Sequence, residues 1–560
     1  YSMMEPALQQ KFPDIRTYNA QGIDDPSATA KLDWTGFGFH AMILSAHSES
    51  VWIDPYVRGN KTYYMSYKKS DLNPRTFMEH EPLVDESTQT GMTTSRVTGG
   101  PCVAGQIRSY RLAVACTGEY AVAVGGTNAT LLHSAIVTSV NRVNGLYEKE
   151  LSIRLVLIGN NNLIEYLDAA TDPFTGNNVA TTLINESQVV INANIGAANY
   201  DIGHTFCTGG GGLAQLASVC ATNFKARGIT GLPNPVGDAF DIDFVCHEIG
   251  HQFGSPHTFN AATGNCGGNG STVSNAEPGS GSTIMGYAGI CTSTNDLQLN
   301  SDPHFHAISY DLITNFSRTG GGASCGTLLN TGNNAPVVNA GSSFTIPINT
   351  AFTLTGSATD PDGDPLTYSW EQINVGGPFS NWNTPSGNAP IFRSFVPTST
   401  PVRTFPRWFD IANNTTTIGE ILPSYARTLS FRLTARDNRA GGGGVCYAET
   451  SVIVSGTTAF TVTSQNTATN WVANGTNTAT IAWNVASTTG APFNVANVDI
   501  LFSADGGFTF PYTLVSNTPN DGTQIITIPS IPTIRGRVMV KSRGNIFFDV
   551  NTGFITITSS

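Results

Sequence analysis

No apolar run in this 560-residue chain approaches the roughly 18 residues that span a bilayer, so no transmembrane helix is expected. Charge is scarce as well. Lys and Arg number 28 against 40 Asp and Glu, and the net charge of −12 leaves no basic excess to neutralise phosphates, which argues against nucleic acid as a partner. No two cysteines have CxxC spacing, so thiolate zinc ribbons and redox dithiols are not expected. The opening residues, Tyr1-Ser2-Met3-Met4-Glu5, carry neither a basic n-region nor an apolar h-region. A signal peptide has been removed or there never was one. The nine cysteines favour removal: eight lie between Cys102 and Cys325, with only Cys446 beyond, a usage that fits disulfides in an oxidising compartment. A secreted protein, free or attached to a cell surface, is expected.

What the chain does have is Gly, 58 residues of it, with Ser, Thr and Asn throughout, a composition suited to short strands and many turns. Its length calls for several cores. Residues 1–105 read as short strands and loops. From residue 106 the texture alternates between strand and helix: Arg111–Cys116 is a buried-strand pattern, and Leu132, Ile136, Val140, Val143 and Tyr147 mark one helix face. Leu151–Ile158 alternates like a strand, and 181–194 reads as a helix. After Cys325 and the polar stretch Asn330–Pro336, strand patterns recur at short intervals with almost no helix signal, and a break near Ser455-Gly456-Thr457 divides them. The expected organisation is 1–105, an α/β region 106–327, and two all-β immunoglobulin-like sandwiches, 328–455 and 456–560.

The most informative segment is His247-Glu248-Ile249-Gly250-His251-Gln252-Phe253-Gly254-Ser255-Pro256-His257. On a helix, residues four apart share a face, so His247 and His251 present their imidazoles to one ion. Gly254 allows a sharp exit from the helix, and Ser255-Pro256 returns His257 as a third ligand. Three protein ligands leave a fourth zinc position for water, the mark of a catalytic rather than a closed structural site. Glu248 is placed to take a proton from that water. The alternative, polar residues on an ordinary amphipathic helix, is weakened by the Gly and third His in register.

Downstream lies Ser282-Thr283-Ile284-Met285-Gly286-Tyr287, which resembles the Met-turn of the metzincin zinc peptidases. The resemblance is closest to reprolysin-like (adamalysin-type) peptidases of Bacteroidetes and covers roughly residues 109–320. Tyr110–Tyr120 and Asp201–Phe206 carry it together with the two metal-site motifs. Adamalysins usually have Asp after the third histidine; here it is Thr258, and His257-Thr258-Phe259 is similar to the pappalysins. The resemblance implies an α/β catalytic domain with a mixed twisted sheet, an active-site helix, a bound zinc, and hydrolysis of protein or peptide substrates with Glu248 as general base. It gives Met285 the role of a floor beneath the histidines. It leaves Tyr287 either as an oxyanion partner or as a wall tyrosine bonded elsewhere.

Other segments yield further expectations. Gly212-Leu213-Ala214-Gln215 reads as an edge strand for an extended substrate, with an interior strand as the alternative. Residues 1–105 stand where such families keep a β-rich prodomain. Cys102, on a Gly-Pro stretch at the junction, is a candidate latency switch on the zinc, released by cleavage near Arg96 or Arg108. A structural disulfide, or a prodomain aspartate over the zinc, would replace it. In the pairing that leaves Cys102 free, the cysteines of the catalytic region pair among themselves and Cys325 pairs with Cys446. Asp360, Asp362 and Asp364 are candidate calcium ligands, with a solvated turn as the alternative. The sandwiches offer no chemistry beyond a polymer or cell-surface ligand, and a chain ending near Thr327 is expected to keep its activity. The rival readings are a surface adhesin on a catalytically minor scaffold and a zinc amidase.

Overall fold

The computed structural model of the protein describes residues 2–72, 99–209 and 211–559. After a short helix, α1 (Pro6–Lys11), five strands follow: β1 (Arg16–Gln21), β2 (Thr29–Thr35), β3 (Gly38–Leu44), β4 (Val51–Pro55) and β5 (Tyr64–Lys68). They pair antiparallel in chain order. The alternation of β2 runs opposite to the usual one, because Thr29, Lys31, Asp33 and Thr35 are its buried residues. They face the helix of residues 129–151, which answers them in kind. Lys31 Nζ lies 2.5 Å from Glu148 Oε2, Thr138 Oγ1 donates to Asp33, and Arg142 bridges Asp54 and Asp241.

The central sheet contains β6 (Gln106–Cys116), β7 (Ile153–Leu157), β8 (Ile202–Cys207), β9 (Gly212–Ala214), β10 (Gly228–Gly231) and β11 (Thr327–Asn330). It is mixed: β6 pairs parallel with β7 and β8, β8 parallel with β10, while β9 and β11 are antiparallel to their neighbours. Strand β9 is the last in its order, an edge strand. The helices of this region are α2 (Gly118–Ala123), α3 (Ala129–Leu151), α4 (Ala180–Ile195), α5 (Cys246–Gln252) and α6 (Ala307–Arg318). The α3 face read from the sequence is buried, and so are Asn141, Arg142 and Glu148 on other faces, because the N-terminal sheet covers the side that an ordinary amphipathic helix turns to water. Met3, Met4, Leu8 and Trp52 belong to the same core as Tyr110 and Val140, and Met4 bridges Leu157 at the edge of β7.

The rest is all-β apart from one short helix, Trp408–Asn413. Strands Phe344–Pro347, Thr367–Gln372, Arg427–Arg436 and Val445–Ser455 form one sheet. A second sheet crosses the sequence break at 455, since Ala351–Thr355 pairs with Phe547–Val550 from the last segment. Buried residues from Ile346 to Ile557 accordingly share one core. The first β region after the central sheet, residues 328–455, is also fastened to it. Arg432 makes two contacts of 2.6 and 2.7 Å with the buried Asp311, Arg436 lies 2.8 Å from the buried Glu150, and a disulfide joins Cys102 to Cys446. No helix among the described residues is long and apolar enough to cross a membrane.

Candidate metal centre

A π-helical turn, Ala239–Val245, leads directly into α5, which carries His247, Glu248 and His251. Gly254, at φ +90°, turns the chain out of the helix as its position in the motif predicts. His257 then returns to the same point. The three Nε2 atoms lie 3.0, 3.1 and 3.2 Å apart, and all three rings are buried. Each Nδ1 stands 2.7 Å from a main-chain carbonyl: Ile284 for His247, Ser255 for His251 and Asn269 for His257. A carbonyl only accepts, so each Nδ1 carries the proton and each Nε2 presents its lone pair to the common point. Burial, and then the neighbouring imidazoles, push the pKa values of His251 and His257 well below the ordinary range, which keeps them neutral and able to bind a metal.

Glu248 is buried beside this triangle, and its Oε2 has no hydrogen-bond partner among the described residues. Burial pushes its pKa well above the ordinary carboxylate range. Three converging imidazole lone pairs and an orphaned carboxylate oxygen suit a divalent cation with nitrogen ligands, and zinc fits that donor set. The described residues contain one other cluster of metal-ligating type, Asp360, Asp362 and Asp364, whose ligand atoms lie within 4.8 Å of one another. Arg439 Nη1 lies 3.6 Å from Asp362 and 3.7 Å from Asp364, and Asp360 Oδ1 accepts from the backbone of Asp362 and Asp364. Protein groups thus already balance part of this charge, while Asp360 Oδ2 and Asp364 Oδ2 are buried without a hydrogen-bond partner among the described residues.

Met285 is buried, and a Cβ added at Gly250, between the helical ligands, would stand 2.6 Å from its Sδ. The thioether therefore lies directly against the helix that carries His247 and His251. The ring of Tyr287 sits 4.4 Å from that of His257 and 4.6 Å from that of Phe259. On the other side, β9 brings Gly212 against Glu248, with Leu213 and Ala214 following along the sheet edge and Gln215 just beyond.

The structure corrects the reading of Cys102. Val103 pairs with Val445 and Tyr310 donates from its phenol to the Pro101 carbonyl, which places Cys102 beside Cys446, where its sulfur is consumed in a bond. It cannot ligate the metal. Cys325 pairs with Cys220 and Cys266 with Cys291, while Cys116, Cys207 and Cys246 are buried free thiols. Arg108 is buried, with its guanidinium on the carbonyls of Ala323 and Cys325, and so offers no open cleavage site; Arg96 lies outside the described residues.

Sequence reasoning missed the contribution of the first β region. Phe379 donates its backbone N–H to the Asn260 carbonyl and accepts from Ala262, so it forms a bridge with the segment that follows His257. Ser394 and Glu371 contact His304, whose carbonyl accepts from Ile284 of the Met-turn. No local pattern announces contacts over such sequence distances.

Residues 106–306, from β6 to the threshold of α6, match the model of metallo-peptidase family M12B, reprolysin-like. The match contains every residue of the metal centre and supports a reprolysin-like metallopeptidase in this segment. No curated protein is significantly similar to the chain. Among solved structures, the tandem Ig repeats of Dlar are 9% identical over 40% of this chain and 99% of theirs, with a TM-score of 0.22. N-cadherin EC1-4 of Drosophila is 13% identical over 41% of this chain and 51% of its own, at 0.15. The fibronectin(III)-like modules of Clostridium thermocellum CbhA are 12% identical over 40% and 94%, at 0.14. At these scores the likeness carries no argument.

Proposed function

We propose that the protein is a secreted zinc-dependent endopeptidase of reprolysin-like type. The observation that carries this reading is the triangle of Nε2 atoms, each imidazole locked by a carbonyl on its other nitrogen, beside a Glu248 oxygen with no partner among the described residues. His247, His251 and His257 hold the metal. When bound, zinc polarises the scissile carbonyl and makes a neighbouring water acidic near neutral pH. Glu248 accepts the proton of that water and passes it to the leaving amine, a transfer favoured by its burial and its raised affinity for protons. Met285 keeps the imidazoles seated from below, and Tyr287 flanks His257 where a phenol can steady the developing oxyanion. Substrate lies extended along β9, pairing its backbone with the sheet edge, which gives endopeptidase action without strict sequence choice. Three disulfides fit an oxidising compartment and thus an exported protein.

The test is metal analysis of the purified chain together with cleavage of a peptide library read by mass spectrometry. One zinc per chain and internal cleavages that stop on chelation are expected. A chain without metal, or cleavage indifferent to chelator, would overturn the reading.

A further inference from the structure

Glu277 has no place in the zinc motif, yet it is completely buried and accepts hydrogen bonds from two segments on which the centre depends. Thr258, the residue after the third ligand, donates its hydroxyl to Glu277 Oε2 at 2.5 Å. Thr283, two residues before Met285, donates its hydroxyl to the same oxygen at 2.6 Å. The other oxygen accepts the backbone N–H groups of Ser282 and Thr283, at 2.8 and 3.2 Å. The backbones join as well: Glu277 donates its N–H to the Thr258 carbonyl and accepts from Asn260. No Lys, Arg or His forms a salt bridge with this carboxylate among the described residues. A buried anion held by donors alone needs each of them in place, so it fixes the geometry of the segments that supply them.

We propose that Glu277 is a positioning residue of the metal centre: a single carboxylate that clamps the segment carrying His257 to the Met-turn. The clamp sets two distances at once. Through Thr258 it holds the third imidazole toward the other two, and through Ser282 and Thr283 it holds both the Ile284 carbonyl, on which His247 Nδ1 bonds, and Met285. Outer groups of this kind commonly change metal affinity or activity by about 10- to 100-fold when removed. The proposal rests on the peptidase reading.

The experiment compares Glu277→Leu, Glu277→Gln and Thr258→Val in the full chain. Zinc affinity is measured by chelator competition, the visible spectrum is recorded on the cobalt(II)-substituted protein, and kcat and KM are determined on one peptide. Leu deprives five donors of their acceptor: the hydroxyls of Thr258, Ser282 and Thr283 and the backbone N–H groups of Ser282 and Thr283. It should weaken zinc binding at least ~10-fold, shift the cobalt bands and lower kcat ~100-fold with KM changed less than ~3-fold. Gln retains an acceptor oxygen for the amides, and the threonine hydroxyls can turn to accept from its NH2 group, so it should recover to within ~10-fold of the wild type. If the Leu variant fails to fold, Thr258→Val decides, because it breaks one hydrogen bond with little change of shape and should still move the cobalt spectrum and zinc affinity. Wild-type zinc affinity and spectrum in a folded Leu or Val variant would overturn the clamp. A wild-type chain that binds no zinc would overturn the peptidase reading instead.

Discussion

Gly212 and Glu248 occupy adjoining space with no room between them: a Cβ built on Gly212 would stand 1.9 Å from Glu248 Oε1 and 2.5 Å from its carboxyl carbon. The edge strand proposed for substrate and the proposed general base are thus in direct contact. Gly212→Ala should push the carboxylate aside, and misplacement by about 1 Å commonly costs around 100-fold in rate. The expected result is a ~100-fold fall in kcat/KM with zinc still bound, read by peptide hydrolysis and metal analysis. Wild-type turnover in this variant would show that Glu248 has more freedom than the packing gives it.

Glu248→Ala removes the base and none of the imidazoles. Zinc should stay at one per chain, while turnover falls by about 10² to 10⁴, the usual range for general-base assistance. More than about a tenth of wild-type turnover would remove Glu248 from the mechanism.

His204 is buried between Gln252 at the end of α5 and Thr230, its two nitrogens 3.0 and 2.8 Å from their side-chain oxygens. Burial pushes its pKa down to about 4. The unfolded chain takes up this proton near about 6.5, whereas the folded chain refuses it until far lower pH. The contribution to stability is therefore complete above about pH 6.5 and is lost as pH falls toward 4, by about 3 kcal/mol in all. Denaturant unfolding at pH 7 and 4.5 should show the wild type losing about 2 kcal/mol more than His204→Gln. The difference isolates His204, because the metal-site imidazoles are common to both. Equal losses would count against the assignment.

A chain ending near Thr327, expected from the sequence to remain active, should instead be unfolded or inactive. Truncation cuts β11, removes Cys446 from Cys102, and strips Asp311 and Glu150 of Arg432 and Arg436. The measurement is circular dichroism and peptide hydrolysis on the truncated chain, with non-reducing peptide mapping of the full chain to find the Cys102–Cys446 link. A folded, active truncation would mean that these contacts are dispensable.

Much of the metal centre is legible in the chain because its chemistry is local. His247, Glu248 and His251 share one helical turn, Gly254 must reach positive φ to return His257, and Met285 follows within a recognisable turn. The carbonyls that orient the imidazoles were not legible, since any residue has a carbonyl and only the fold decides which one faces a ring. Glu277 was silent for a related reason. Its partners are hydroxyls and backbone amides, with no fixed spacing to betray them.

The free-thiol reading of Cys102 failed on the same ground. Counting cysteines constrains parity but not pairing, and the bond to Cys446 spans 344 residues. Periodicity placed the helices near 129–147 and 181–194, because the burial of one face is written every three or four residues. It could not show that α3 is covered on its far side by a sheet presenting Lys31 and Asp33. By itself, then, the sequence determined the local elements and the three histidines that cluster with Glu248, all of which depend on neighbours within a turn or a loop. Only the tertiary structure decided the disulfides, the buried ion pairs and the union of the first β region with the metal-binding segment, because those depend on which distant surfaces exclude water together.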